Sequence, residues 1–236
     1  MQLFYNKNLH KESTFLTFDK EESRHIISVL RKKEGDVLMI TNGNHLLFKA
    51  KIRVANNKRC QVQIVAVTEK ESPRKYNLSI AIAPTKSNDR LEWFLEKATE
   101  IGVDEVCPIL CKHSERKTIK TARLAKVLLS AMKQSLQYKL PVLQELASFK
   151  DCVLKDFKGQ KFIAYCQESS TKTLQSQIKK DTNILILIGP EGGFSSNEIE
   201  MALENNFIPV SLGANRLRTE TAGIVATHTV SLANNN

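Results

Sequence analysis

The stretch Ile184-Leu185-Ile186-Leu187-Ile188-Gly189-Pro190-Glu191-Gly192-Gly193-Phe194-Ser195 decides how the chain folds. An uncharged aliphatic run of this length reads as a strand buried on both faces, the kind found inside parallel sheets. It stops at Gly-Pro and two further glycines, which mark a turn. Ser195 and Glu198 have the spacing of a capping box, so a helix opens directly after the turn. In open α/β sheets ligands bind at the carboxyl ends of strands, where this loop falls. Its glycines permit positive φ and let a ligand approach the backbone closely.

The same rhythm extends outward in both directions. Strands are predicted at Leu78–Ala83, Val106–Leu110, Phe162–Tyr165 and Ile208–Leu212. Helices are predicted at Asn88–Ile101 (ended by Gly102), Thr118–Gln137 (ended before Pro141), Glu198–Asn205 and Glu220–Leu232. Strands alternating with helices imply parallel βαβ units and an α/β domain. The polar segment Thr68–Lys75 sets a boundary, giving domains 1–72 and 73–236. Before it, Asp19 caps a helix over Asp19–Arg31, with Glu22 at the capping-box position. Strands follow at Val37–Ile40, Leu46–Val54 and Cys60–Val67, joined by turns at Asn42-Gly43-Asn44 and Asn56-Asn57. In the last strand Val62, Ile64 and Val67 are expected to share a side. One short helix with several hairpins suggests a small β-barrel.

A second loop repeats the logic of the first. Ser211-Leu212-Gly213-Ala214-Asn215-Arg216-Leu217-Arg218-Thr219-Glu220-Thr221-Ala222 is another strand end, another Gly turn and another helix start. Thr219 can cap that helix, and Glu220 in its first turn suits the helix dipole. A phosphate is the poorer guess for the ligand: the first loop matches neither the Walker nor the Gly-x-Gly-x-x-Gly spacing, and Glu191 would repel one. A nucleoside without phosphates, such as S-adenosylmethionine with its positive sulfonium, is the better guest. A purely structural pair of turns is the bland alternative.

Bulk composition narrows the partners. The net charge is +10, which suggests a polyanionic partner without naming one. Residues 1–72 hold 13 Lys+Arg against 8 Asp+Glu, and the remaining 164 hold 22 against 17. The first segment is therefore the more densely positive. Arg24, Arg31, Lys32 and Lys33 there, with Lys86, Arg116, Lys117 and Lys120 further on, are candidates for backbone phosphate contacts. No signal peptide or membrane span is read, so a cytoplasmic protein is expected. The cysteines (Cys60, Cys107, Cys111, Cys152 and Cys166) are scattered and odd in number. They suggest no disulfide framework, and Cys107, Cys111 and His113 lack a well-spaced fourth ligand, so no metal is expected.

Gly-Pro-Glu-Gly-Gly-Phe-Ser followed by Leu-Gly…Arg-Leu-Arg-Thr-Glu-Thr-Ala resembles the signature of the SPOUT methyltransferase superfamily, most closely its 16S ribosomal RNA uridine-N3 branch. Pro84-x-Lys86 with Asp89, Glu92, Lys97, Glu100 and Gly102-Val103 is similar to that family's opening strand and helix. Ser114-Glu115-Arg116 and Gln134-Ser135 with Pro141 resemble its middle. His25-Ile26, Val29-Leu30-Arg31, Gly35-Asp36 and Asn42-Gly43 resemble its RNA-binding barrel, of PUA type. The likeness spans nearly the whole chain. Two places depart from it: Lys133-Gln134-Ser135-Leu136-Gln137 stands where relatives commonly have Glu-Gln-x-Gly-Arg, and Leu3 stands where an arginine precedes Phe4-Tyr5.

The resemblance implies a trefoil-knotted α/β domain, a homodimer, and S-adenosylmethionine bound bent at the strand ends. It implies a cofactor pocket of Leu187, Ile188, Gly189, Pro190, Glu191 and Gly192 from one loop. Ser211, Leu212, Gly213, Leu217, Arg218, Thr221 and Ala222 would supply the other side. The reaction would be methylation of uridine N3 in 16S rRNA of the small subunit. Arg218 could stabilise the uracil anion as a fixed donor fork. Glu220 could act as base or orient Arg218 through an ion pair. Two readings stay open beside this one: the same chemistry on another RNA, and a non-catalytic RNA-binding assembly protein.

Overall fold

Hydrogen-bonded strands form two separate sheets, one at each end of the sequence. The structure is a computed structural model that describes residues 2–70, 72, 74–165 and 172–235. Cys166, the end of the Asn234–Asn236 tail and, at the expected boundary, Glu71 and Pro73 lie outside the described residues. The chain divides into a unit of Met1–Pro73 with Met132–Leu140 and a unit of Arg74–Ala131 with Pro141–Asn236.

The first unit contains β1 (Leu3–Tyr5), β2 (Phe15–Thr17), α1 (Lys20–Arg24), β3 (Val37–Thr41), β4 (Leu46–Val54) and β5 (Gln61–Glu69). The strands form one curled sheet in the order β1-β3-β4-β5-β2 around Phe4, Phe18, Ile26, Ile40, Phe48 and Val62. The hairpins β3–β4 and β4–β5 are antiparallel, but β1 runs parallel to β3. That non-local pairing has no hairpin signal, and β1 and β2 are too short to show a period. The expected helix is also shorter than Asp19–Arg31. Asp19 does accept the Glu22 amide at 2.8 Å, but the Glu22 carboxylate turns to Lys133 at 3.1 Å. From His25 to Val29 the helix widens to a π turn, drawing Ile26 fully inside, and Arg31 at φ 55 ends it. Burial of one isoleucine here overrides the regular α period. Val67 is exposed, not on the core side with Val62. The register slips between Lys49 and Ala50, so Ala50 faces Ile64 while Lys49 faces Ala66. This bulge skips Val65 and shifts the alternation by one residue.

The second unit contains β6 (Leu78–Ile82), α2 (Asn88–Ile101), β7 (Glu105–Leu110), α3 (Thr121–Gln134, whose last residues cluster with the first unit), β8 (Val142–Leu143), β9 (Ala147–Ser148), α4 (Phe149–Leu154), β10 (Gln160–Ala164), α5 (Leu174–Gln177), β11 (Ile184–Ile188), α6 (Ser196–Glu204), β12 (Ile208–Val210) and α7 (Thr219–Asn235). The sheet is parallel, in the order β12-β10-β11-β6-β7-β8, with β9 also beside β7. Every residue of β6 and β11 is buried, as a strand covered on both faces requires. Leu185 and Leu187 pack with Ala81, Phe149, Val153 and Ala202 on the α4/α6 side. The alternate residues face α2 and α7, which pack tightly on each other. Gly223 in α7 makes that approach possible: a Cβ there would sit 2.6 Å from the Phe94 ring and 3.1 Å from Ile82. The helix predicted from Thr118 begins three residues later, at Thr121, because residues 118–120 lead in as coil. The short β8, β9, α4 and α5 carry too few residues for a periodic signal.

Parallel pairing puts the carboxyl ends of β6, β7, β10, β11 and β12 on one edge. The described loops after β6, β7, β11 and β12 occupy 83–87, 111–120, 189–195 and 211–218, and the site is built there.

Candidate functional site

The loop after β11 is a folded object in its own right. Gly193 donates its amide to the Pro190 carbonyl at 2.8 Å and lies at φ +73, so the turn needs glycine at that point. Ser195 and Glu198 form the reciprocal capping box, with the Ser195 amide 2.8 Å from the Glu198 carboxylate. The same carboxylate takes the Lys112 amide at 2.7 Å, tying in the loop after β7. His113 of that loop hydrogen-bonds the Gly193 carbonyl at 3.1 Å through Nδ1. A Cβ on Gly192 would come within 3.0 Å of the His113 Cβ. Glu191 reaches the other way and accepts the Lys86 amide at 3.1 Å, joining the loop after β6.

The loop after β12 is braced by its own serine. Ser211 Oγ donates to the Gly213 carbonyl at 2.9 Å and accepts the Gly213 amide at 3.2 Å. Gly213 sits at φ +140 with nothing within 4 Å of a built Cβ, so its space opens outward. Two contacts fasten this loop to the first one. Arg216 Nη2 donates to the Glu191 carbonyl at 3.3 Å, and Thr219 Oγ1 donates to the Gly189 carbonyl at 3.0 Å.

Between the two loops lies a cavity of about 690 Å³, the size range of small-molecule and cofactor sites. Its wall is mostly apolar or backbone: Tyr165, Ile188, Phe194, Leu212 and Leu217 line it with the loop glycines. Among the described residues only Glu191 and Arg216 bring a charge to it. That is one acidic and one basic side chain, and among the described residues no nest of cations for a phosphate. An adenosyl group carrying a cationic sulfur fits this donor set better than a nucleotide does.

Of the residues expected to hold a cofactor, Ile188, Gly189, Pro190, Glu191, Gly192, Leu212, Gly213, Leu217 and Ala222 line this cavity. Leu187 points into the α4/α6 core instead, because side chains alternate along β11 and only its end residue reaches the edge. Ser211, Arg218 and Thr221 lie beside the cavity and do not form its wall. Arg216, Thr219 and Asn215 do form it and were not singled out as pocket residues; their position after the Gly turn was the available signal. Arg218 is exposed. Glu220 is only 5% exposed, and its ion-pair partner is Arg90 of α2 at 3.7 Å rather than Arg218. Arg218 lies just before α7 and is exposed, whereas Glu220 lies in the first turn of α7, the helix on which α2 packs.

The basic candidates separate in the same way. Arg24, Arg31, Lys33, Lys117 and Lys120 are exposed, and Lys32 is half-buried. Lys86 pairs with Glu115 at 3.0 Å. Arg116 Nε donates to the Thr85 carbonyl at 3.0 Å, and its Nη2 donates to the Lys86 carbonyl. The Arg116 guanidinium is thus committed to holding a loop. Cys107 and Cys111 belong to the α4/α6 core side, where burial pushes the Cys107 thiol up to about 12 and raises Cys111 further.

Residues 70–231 match the family described as an RNA methyltransferase domain, and residues 18–65 match the RNA methyltransferase PUA domain. The chain belongs to the RNA methyltransferase family. Ribosomal RNA small subunit methyltransferase E of Buchnera aphidicola subsp. Acyrthosiphon pisum is 32% identical over 219 residues, covering 89% of this chain and 85% of that protein. The Bacillus subtilis protein of the same name is 26% identical over 235 residues, covering 94% and 91%. The crystal structure of a probable rRNA-methyltransferase from Porphyromonas gingivalis matches with a TM-score of 0.91 at 41% identity, covering 98% and 99% of the two chains. A ribosomal RNA small subunit methyltransferase E from Neisseria gonorrhoeae, solved bound to S-adenosyl methionine, matches with a TM-score of 0.83 at 26% identity over 96% and 95%. The family's two-part plan is the one found here, a PUA-type domain followed by an α/β methyltransferase domain.

Proposed function

We propose that this chain transfers the methyl group of S-adenosylmethionine to N3 of a uridine in 16S rRNA of the small ribosomal subunit. The observation that carries the reading is the cavity between the two Gly loops, largely apolar and, among the described residues, without a cradle of cations for a phosphate. The likeness to small-subunit methyltransferases along almost the full chain supports the choice of RNA. In this reading residues 1–72 bind RNA through Arg24, Arg31, Lys32 and Lys33, and Lys117 and Lys120 of the second domain add phosphate contacts. Residues 73–236 hold the cofactor.

The bound cofactor supplies an electrophilic methyl carbon on a cationic sulfur. The chain's part is to fix geometry, since an in-line displacement gains most of its rate from positioning. Gly189, Gly192 and Gly213 let the backbone close around the ligand, and Leu212 and Leu217 keep water away from it. Before N3 attacks the methyl carbon its proton passes to water, and the negative charge that forms spreads over N3, O2 and O4 until the new N–CH3 bond neutralises it. Arg218, exposed at the cavity rim with no ion-pair partner among the described residues, is placed to meet that charge. Glu220, buried against Arg90, acts as a positioning residue. A homodimer, a trefoil knot and a cytoplasmic location belong to the same proposal.

The test is methyl transfer from labelled S-adenosylmethionine to purified small-subunit RNA, large-subunit RNA and transfer RNA, followed by nucleoside mass spectrometry. The expected product is 3-methyluridine in small-subunit RNA alone. Arg218→Ala should lower the rate by about 10²–10³-fold, the scale for losing one charge-stabilising donor. Label found on a ribose hydroxyl, or in transfer RNA only, would refute the assignment.

A further inference from the structure

The outer face of the first unit's sheet carries a cluster of side chains that the cofactor site does not use. Along β4, Phe48, Ala50 and Ile52 are buried in the core of that unit, so Lys49, Lys51 and Arg53 alternate outward, and all three are exposed. On β2 it is Leu16 that packs on the core, which turns Phe15 and Thr17 outward; the Phe15 ring is 62% exposed. Register joins these positions into one row across the sheet. Phe15 lies opposite Gln63, Gln63 opposite Lys51, and Lys51 opposite the exposed Val37. Gln63 also fixes Arg53: its Oε1 accepts Arg53 Nε at 2.8 Å and Arg53 Nη2 besides. Among the described residues none of Lys49, Lys51 and Arg53 forms an ion pair. The acids at the strand ends have other partners: Glu34 takes the Ala55 amide at 3.3 Å, Asp36 takes the Lys33 amide at 2.8 Å, and Glu69 pairs with Lys11 at 2.7 Å.

We infer that this face is a platform for single-stranded RNA, on which Phe15 stacks an unpaired base while Lys49, Lys51 and Arg53 meet the phosphates beside it. This deepens the RNA reading above and rests on it. The outward positions of β2, β3, β4 and β5 at 15, 17, 37, 39, 49, 51, 53, 61 and 63 hold three cations and no acid. Such a face calls for a polyanion, which sets RNA ahead of a protein partner. The exposed ring then decides which form of RNA. A duplex keeps its bases stacked inside and gives the ring nothing to cover, whereas an unpaired base offers a π face. Every base has such a face, so the platform selects unpaired strand and not a sequence. Arg24, Arg31, Lys32 and Lys33 lie elsewhere in the unit, at the end of α1 and in the segment before β3, and serve phosphates of either form.

The test compares one RNA in two forms on the full-length protein. The probe is a fluorescently labelled 12-nucleotide strand of adenosine and cytidine, which cannot pair with itself, used alone and annealed to its complement. Fluorescence anisotropy across a salt series gives the affinity and the salt slope. Phe15→Ala should weaken the single strand by about tenfold, with its salt slope unchanged and the duplex altered by less than about twofold. Phe15→Trp should restore the single strand. Lys51→Gln should lower the single-strand slope by about 0.7, the share of one phosphate contact, and tests the face independently of the ring. An unchanged thermal midpoint and an unchanged calorimetric titration with S-adenosylmethionine would show that the variants are folded and the cofactor loops intact. Equal loss on both forms of RNA, or no loss on either, would overturn the inference and leave the face as solvated surface or a protein contact. Wild-type protein that binds neither form would instead remove the RNA reading, and this inference with it.

Discussion

Gly223→Ala tests how α7 is set against the rest of the second unit. The added Cβ would lie 2.6 and 2.7 Å from two Phe94 ring carbons and 3.1 Å from Ile82 Cδ1. Ordinary carbon contacts are about 3.5–4.0 Å, so the ring or the helix has to move by about 1 Å. Phe94 has nowhere to turn: it is fully buried, with Leu95 and Ala98 equally so on the same helix. Overpacking of this kind costs about 1–3 kcal/mol, while replacing a mid-helix glycine returns about 1 kcal/mol of helix propensity. The net expectation is a loss of up to about 2 kcal/mol, or up to roughly 4–8 °C in midpoint at this chain length. Urea unfolding of wild type, Gly223→Ala, Phe94→Leu and the double variant would measure it as a cycle. Leucine removes the clashing ring edge, so the double variant should be more stable than the sum of the single losses by about 1 kcal/mol. Additive losses, or a stabilised Gly223→Ala, would refute the claim that α2 and α7 meet through a missing side chain.

Gly192→Val should cut S-adenosylmethionine affinity by about 10-fold or more, since even its Cβ comes 3.0 Å from His113 Cβ and the extra methyls reach further; calorimetry checks it, and wild-type affinity would place the ligand elsewhere. Arg116→Ala should leave the salt dependence of RNA binding unchanged while weakening cofactor binding, whereas Lys117→Ala should reduce the salt slope by about 1; filter binding across a salt series separates the two. Cys107 and Cys152 should resist Ellman's reagent at pH 8 until denaturant is added, because burial pushes their thiols up to about 12 and about 11. Their raised folded values also set a sign. The stability they contribute is intact below the ordinary thiol value of 9.0 and is lost as pH rises toward the folded values, so the urea midpoint should fall between pH 8 and 10.5.

What the sequence made legible is what local chemistry dictates. The Ile184–Ile188 strand, the Gly turn and the Ser195–Glu198 box each need only neighbours in the chain, and each is found where expected. The same holds for α2, stopped by Gly102 at φ 114. Failures occur where a distant contact outranks the local pattern. The α1 helix widens to bury Ile26, and β1 pairs with a strand more than thirty residues away. Leu136 stands at φ 56, a backbone state suited to glycine, at the place where the resemblance calls for one. Leu3, where an arginine was expected, is a buried core residue of β1.

The least legible layer is the one that holds the site still. Lys86 and Glu191 are 105 residues apart, Lys112 and Glu198 are 86 apart, and His113 and Gly193 are 80 apart. Each bond joins a side chain to a backbone group, so the backbone half of the pair carries no residue preference that a sequence could display. Only the topology, with β6 and β7 laid beside β11, brings the three loops together. That explains why Arg116 reads as a phosphate contact in sequence and proves to be a loop clamp in space: a basic residue looks the same whichever oxygen it serves. Charge alone therefore separates poorly between residues that would touch RNA and residues that hold the loops around the cofactor. Arg24, Arg31, Lys33, Lys117 and Lys120 are exposed, and among the described residues their side chains hold no such backbone carbonyl, which is what a residue proposed to face phosphate requires.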